Sequence, residues 1–108
     1  MKPANNGPLY ASGIYPKLAE VFRAHGYALA IHGSVISDFD LIAVPWCEDA
    51  ADPKTVIDDV CTKLAVGWHG EQFTAKPHGR MATKLHMSFG ECALDISFMP
   101  RTGGTKGE

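Results

Sequence analysis

The chain has 108 residues, is 45% hydrophobic and carries a formal net charge of -2. That size suits one domain able to bury roughly two thirds of the surface of its unfolded chain, and the acidic balance argues against strong duplex nucleic-acid binding, which needs a basic face. Cys47, Cys61 and Cys92 lack a C-x-x-C spacing, so neither a disulfide framework nor a zinc cluster is expected, and no apolar run suits a leader or a membrane span. A cytoplasmic protein with no membrane partner is the expectation.

Residues 1–13 hold Pro, Asn and Gly without periodicity and read as a flexible N-terminal arm; residues 101–108, rich in Gly and Thr, read as a flexible tail. The domain is expected over 14–100. Pro16 suits a first helical turn, Leu18, Val21 and Phe22 recur at helical spacing, and Gly26 stops the helix. Tyr27 to Ile31 reads as a strand. Leu41 to Val44 reads as a short buried strand ended by Pro45, with Asp38 and Asp40 at its mouth.

Asp52-Pro53 is an N-cap followed by Pro at the first helical position; Val56, Ile57, Val60 and Leu64 make the apolar face, Asp58, Asp59 and Lys63 face water, and Gly67 ends the helix. From Arg80 to Phe89 and again from Cys92 to Met99 apolar residues alternate with polar ones, the period of half-buried strands. Gly90-Glu91 is the turn of a hairpin in which Phe89 pairs with Cys92, setting His86 opposite Asp95 and Lys84 opposite Ser97. The order α, β, β, α, β, β predicts an α+β fold, a mixed β-sheet with two helices packed on one face.

The stretch His32-Gly33-Ser34-Val35-Ile36-Ser37-Asp38-Phe39-Asp40, followed by Leu41-Ile42-Ala43-Val44, sets a Gly-Ser turn and two alternate carboxylates beside a strand. Alternate strand residues point the same way about 6 to 7 Å apart, close enough to share a hard cation. A third carboxylate, Asp95, lies between Leu94 and Ile96, where burial without a partner would cost free energy. Gly33 permits close backbone approach, and Ser34 offers a hydroxyl and an N–H to a phosphate oxygen.

Gly-Ser, then Ser-Asp-x-Asp-Leu, then a later strand with a lone Asp resembles the nucleotidyltransferase superfamily that includes DNA polymerase beta, and most of all its small stand-alone members. The resemblance spans Ile14 to Pro100 in element order and rests on Gly33, Ser34, Asp38, Asp40, Leu41 and Asp95. It implies a nucleotidyltransferase-like fold, Asp38, Asp40 and Asp95 as catalytic ligands of Mg²⁺ or Mn²⁺, and Gly33, Ser34, Ser37 and Lys84 at an NTP such as ATP. The implied activity is metal-dependent transfer of a nucleotide from an NTP to a hydroxyl acceptor, with a protein partner or a homodimer completing the substrate site. One departure stands out. Only Val35, Ile36 and Ser37 separate Gly-Ser from the first Asp, whereas family members place a longer phosphate-holding loop there.

That departure supports a rival expectation, a catalytically degenerate nucleotidyltransferase fold serving as a protein-binding or inhibitory module of the kind phages and mobile elements carry. Each motif also has a bland reading. A D-x-D beside a turn is commonly an Asx turn, and Arg80 and Lys84 suit solvated side chains with buried stems as well as phosphate contacts. His86 is a neighbour for Asp95 or a plain cross-strand residue, and His32 touches a ligand or ends a strand. His25, His69 and His78 lack zinc-ligand spacing. Trp46, Trp68 and Phe73 suit packing, although an exposed Trp46 beside Pro45 would suit a protein interface.

Overall fold

The computed structural model describes residues 13–33, 38–64, 66–68, 70, 72–87 and 93–101, with the backbone alone at 38. Helix α1 (Tyr15–Ala24) leads to strand β1 (Tyr27–His32), strand β2 (Asp38–Pro45), helix α2 (Pro53–Leu64), strand β3 (Thr74–Lys76), a 3-10 turn (Pro77–Gly79), strand β4 (Arg80–His86) and strand β5 (Ala93–Phe98). The strands form one mixed sheet in the order β1-β2-β5-β4-β3. Only β2 and β5 run parallel; the other neighbours are antiparallel. The fold is α+β, a mixed five-stranded sheet with two helices.

α1 forms where its sequence predicts. Leu18, Val21 and Phe22 are its buried stripe, and Gly26 follows the helix at φ +91, a left-handed turn that glycine adopts without steric cost. A side chain there has no room either, since a Cβ would lie 2.8 Å from both the Ala50 backbone and the Cys47 sulfur. α2 starts as expected at Asp52, whose carboxylate accepts the Lys54 N–H at 3.2 Å. Its end is earlier than expected: the helix closes at Leu64, and Gly67 instead exchanges two backbone hydrogen bonds of 2.8 Å with His86.

The buried sides of both helices join one core with a single side of the sheet: Tyr27 and Leu29 from β1, Phe39, Leu41 and Ala43 from β2, Leu94, Ile96 and Phe98 from β5, and Leu85 from β4. Period-two alternation sends the intervening residues to the other side. Phe98 is the aromatic hub, stacked on Phe22 at 5.6 Å and edge-on to Tyr27 at 5.2 Å and Phe73 at 6.0 Å.

Two sequence expectations are corrected here, and one strand was not foreseen. The Asp pair does not stand at the mouth of β2, because the strand begins at Asp38 and includes both residues. The β4–β5 register pairs Lys84 with Asp95 and His86 with Ala93, a slip of two residues from the expected pairing; an even slip keeps every side chain on its own side, so apolar patterning alone does not distinguish the two. The expected turn at Gly90-Glu91 lies outside the described residues. β3, three exposed residues paired to β4, has no apolar alternation to announce it.

Candidate functional site

Asp40 and Asp95 are direct register partners across the parallel β2–β5 pair. Each sits between two core residues, Phe39 and Leu41 for Asp40 and Leu94 and Ile96 for Asp95, all fully or nearly fully buried. That anchoring turns both carboxylates to the side of the sheet away from the helices. Neighbouring strands are about 4.8 Å apart, so two like charges share a short stretch of surface. The row extends on both flanks: His32 pairs with Asp40 from β1, and Lys84 pairs with Asp95 from β4. A histidine, two carboxylates and an ammonium thus cross four strands in line.

Gly33 completes one end of this row. Its φ of +81 is a left-handed conformation, and a Cβ placed on it would come 2.6 Å from the Asp40 Oδ2. The glycine therefore provides both the turn and the space for the Asp40 carboxylate. Asp38 lies two residues before Asp40, with its backbone paired to Ala93; its side chain, Ser34 and Ser37 lie outside the described residues. Among the described residues no group of three or more His, Cys, Asp or Glu side chains is gathered closely enough to hold a metal ion.

Asp95 itself is half-buried, and no buried side-chain nitrogen or oxygen among the described residues lacks a hydrogen-bond partner. The concern over a buried, unpaired Asp95 therefore lapses, and its interest rests on its adjacency to Asp40. The Arg80 guanidinium, for which the sequence left a phosphate contact and a solvated position equally open, reaches the Ser97 hydroxyl at 3.5 Å and the Pro77 carbonyl at 3.2 Å. His86 is placed beside Ala93 instead of Asp95.

Two clusters were not anticipated. Asp59, expected to face water, is half-buried and accepts hydrogen bonds from His25 Nε2 at 2.8 Å and Lys63 at 3.2 Å. The His25 contact foremost, then Lys63, holds the Asp59 carboxyl below the usual carboxylate range. The i,i+4 spacing of Asp59 and Lys63 was visible in the sequence; the His25 contact, made between helices, was not. Contact with the Asp49 carboxylate and burial push the Cys47 thiol up, away from the thiolate form that nucleophilic or metal-binding cysteines need.

The second cluster is a groove of about 330 Å³ at the far end of the sheet, between the start of α2 and the β4 and β5 ends, walled by Trp68, Phe73, Met81, Phe98, Met99 and Pro100. None of the row His32, Asp40, Asp95, Lys84 lines it. The indole N–H of Trp68 donates to the Thr83 hydroxyl at 2.7 Å, which in turn donates to the Gln72 carbonyl at 2.7 Å.

Comparison with known proteins finds no family, no curated protein and no solved structure that the chain matches. No helix among the described residues is long and apolar enough to cross a membrane.

Proposed function

We propose that this chain is a minimal nucleotidyltransferase-like enzyme that uses Asp38, Asp40 and Asp95 to hold Mg²⁺ or Mn²⁺ and transfers a nucleotide from an NTP to a hydroxyl acceptor. The observation that carries the reading is the in-register adjacency of Asp40 and Asp95. Carboxylate oxygens are the donors that hard divalent cations take, and placing two on one rung disfavours the bare site through like-charge repulsion. When bound, divalent cations neutralise triphosphate charge and make an attacking hydroxyl more acidic. In this reading Gly33 keeps the space beside Asp40 clear, Ser34 and Ser37 would bind the phosphates, and Lys84, next to Asp95, adds a cation.

The test is calorimetric titration of the protein with Mg²⁺ or Mn²⁺ plus each NTP, beside the Asp38→Ala, Asp40→Ala double variant. Metal-dependent NTP binding that the double variant loses is the expected result. Absence of binding to the wild-type chain overturns the reading.

A second reading has its own support. Trp46 is 61% exposed and Val44 is 44% exposed, an apolar pair at the C-terminal end of β2 and just past it. A degenerate fold acting as a protein-binding module, with or without a second copy of the chain, would use such a surface. Trp46→Ser would then abolish partner capture, whereas the Asp variants would leave it intact.

A further inference from the structure

We propose that the groove behind Trp68 is a small-molecule site, separate from the carboxylate row, and that it takes a flat apolar acid: an aromatic or alicyclic ring system bearing one carboxylate. Its volume of about 330 Å³ lies within the range of pockets that enclose small ligands, which are concave, mostly apolar and marked by a few polar groups. The walls suit a ring. Trp68 and Phe73 meet edge-to-face at 5.4 Å, Phe98 closes the base, and Met81 and Met99 add polarisable sulfur, which packs well against aromatic edges.

The two aromatic walls are also held in place by contacts within the protein. The Trp68–Thr83–Gln72 hydrogen-bond chain holds the indole plane, and Phe73 is pinned between Trp68 and Phe98. A preformed cavity avoids the ordering cost that weakens binding to mobile surfaces. An apolar core would not leave such a space bounded by aromatic rings without losing their contacts.

Charge at the mouth sets the ligand class. Arg101 lines the groove; its guanidinium donates to the Ala50 carbonyl at 3.3 Å and approaches Asp52 at a long 3.5 Å. A guanidinium has five N–H donors in a fork that matches a carboxylate, so these two contacts leave donors over. The other cation at the rim, Lys54, is turned to Asp58 at 2.8 Å, and Asp52 already accepts the Lys54 N–H. A ligand carboxylate would exchange the long Asp52 contact for a bidentate pair with Arg101.

Two probes of one shape separate charge from shape: 2-naphthoate and the neutral 2-naphthalenemethanol, titrated by calorimetry in EDTA so that no metal occupies the carboxylate row. The Trp46→Phe variant leaves Trp68 as the sole tryptophan of the two in the chain, so its emission reports on the groove itself. The expected result is saturable 1:1 binding of 2-naphthoate with a change in Trp68 emission, and the alcohol about tenfold weaker, as for loss of a hydrogen bond to a charged group. Arg101→Gln should bring the acid down to the level of the alcohol. Arg23→Gln, at a different groove beside Trp46, should change nothing. No saturable binding of either probe, equal affinity for the two, or undiminished binding of the acid by Arg101→Gln would overturn the proposal. None of these outcomes depends on Asp40 or Asp95, so failure here and failure of the transferase reading are told apart.

Discussion

Gly33 lies so close to Asp40 that a single methyl group on it would come 2.6 Å from the carboxylate Oδ2. The turn before β2 and the carboxylate within β2 therefore constrain each other. Gly33→Ala should cost about 1 to 2 kcal/mol from the left-handed conformation alone, measurable by urea denaturation. It should also shift the Asp40 side chain, and on the proposed metal role Mn²⁺ binding should weaken with it.

Asp40 and Asp95 are register partners across a parallel pair, where like charges oppose folding, while Lys84 on the other side of Asp95 offsets that repulsion. Asp95→Asn removes both contacts and should therefore melt close to the wild type in EDTA. Addition of Mn²⁺ should raise the wild-type Tm, through binding to the native state, and leave the variant unmoved. A variant that is less stable in EDTA and still gains from Mn²⁺ would contradict the proposed metal role.

Asp59 supplies a pH dependence of known sign. Its carboxyl is held below the ordinary range by His25 and Lys63, so the folded state favours the ionised form. The associated stability is fully present above the unfolded carboxylate value, about 3.9, and is lost as pH falls through the lower folded value. Chemical denaturation of wild type and Asp59→Asn should give a stability difference that narrows below about pH 4.

Phe98 is 1% exposed and touches aromatic rings from α1, β1 and the segment before β3. Phe98→Ala should cost about 3 to 5 kcal/mol by lost transfer energy and a cavity, a large share of the stability of a domain this size. Phe98→Leu, which keeps most of the volume, should retain a cooperative thermal transition by circular dichroism.

Much of this architecture was legible where burial imposes a period. Leu18, Val21 and Phe22 announce α1, Val56, Ile57 and Val60 announce α2, and the alternation around Leu94, Ile96 and Phe98 announces β5. β3 was silent because Thr74, Ala75 and Lys76 are all exposed; its only cause is pairing with β4, a tertiary event. The β4–β5 register was illegible for a related reason, since an even slip moves no residue between core and solvent. The carboxylates could be assigned to the exposed side of the sheet from parity. That Asp40 and Asp95 share a rung follows from strand order, which local pattern does not encode. The groove behind Trp68 was hidden for the same reason, being assembled from α2, β4, β5 and the segments flanking them.

The parallel pairing of β2 with β5 has a kinetic consequence. The two strands are separated in the chain by α2, β3 and β4, so Asp40 and Asp95 meet only after a long loop has closed, the kind of contact that slows folding and forms late. Fragments that end before β5 can contain Gly33 and Asp40 yet lack the second carboxylate altogether. During synthesis the carboxylate pair cannot assemble until β5 has emerged, and it dissolves as soon as that strand detaches. If the pair holds a metal ion as proposed, loss of that ion would report detachment of β5 from β2.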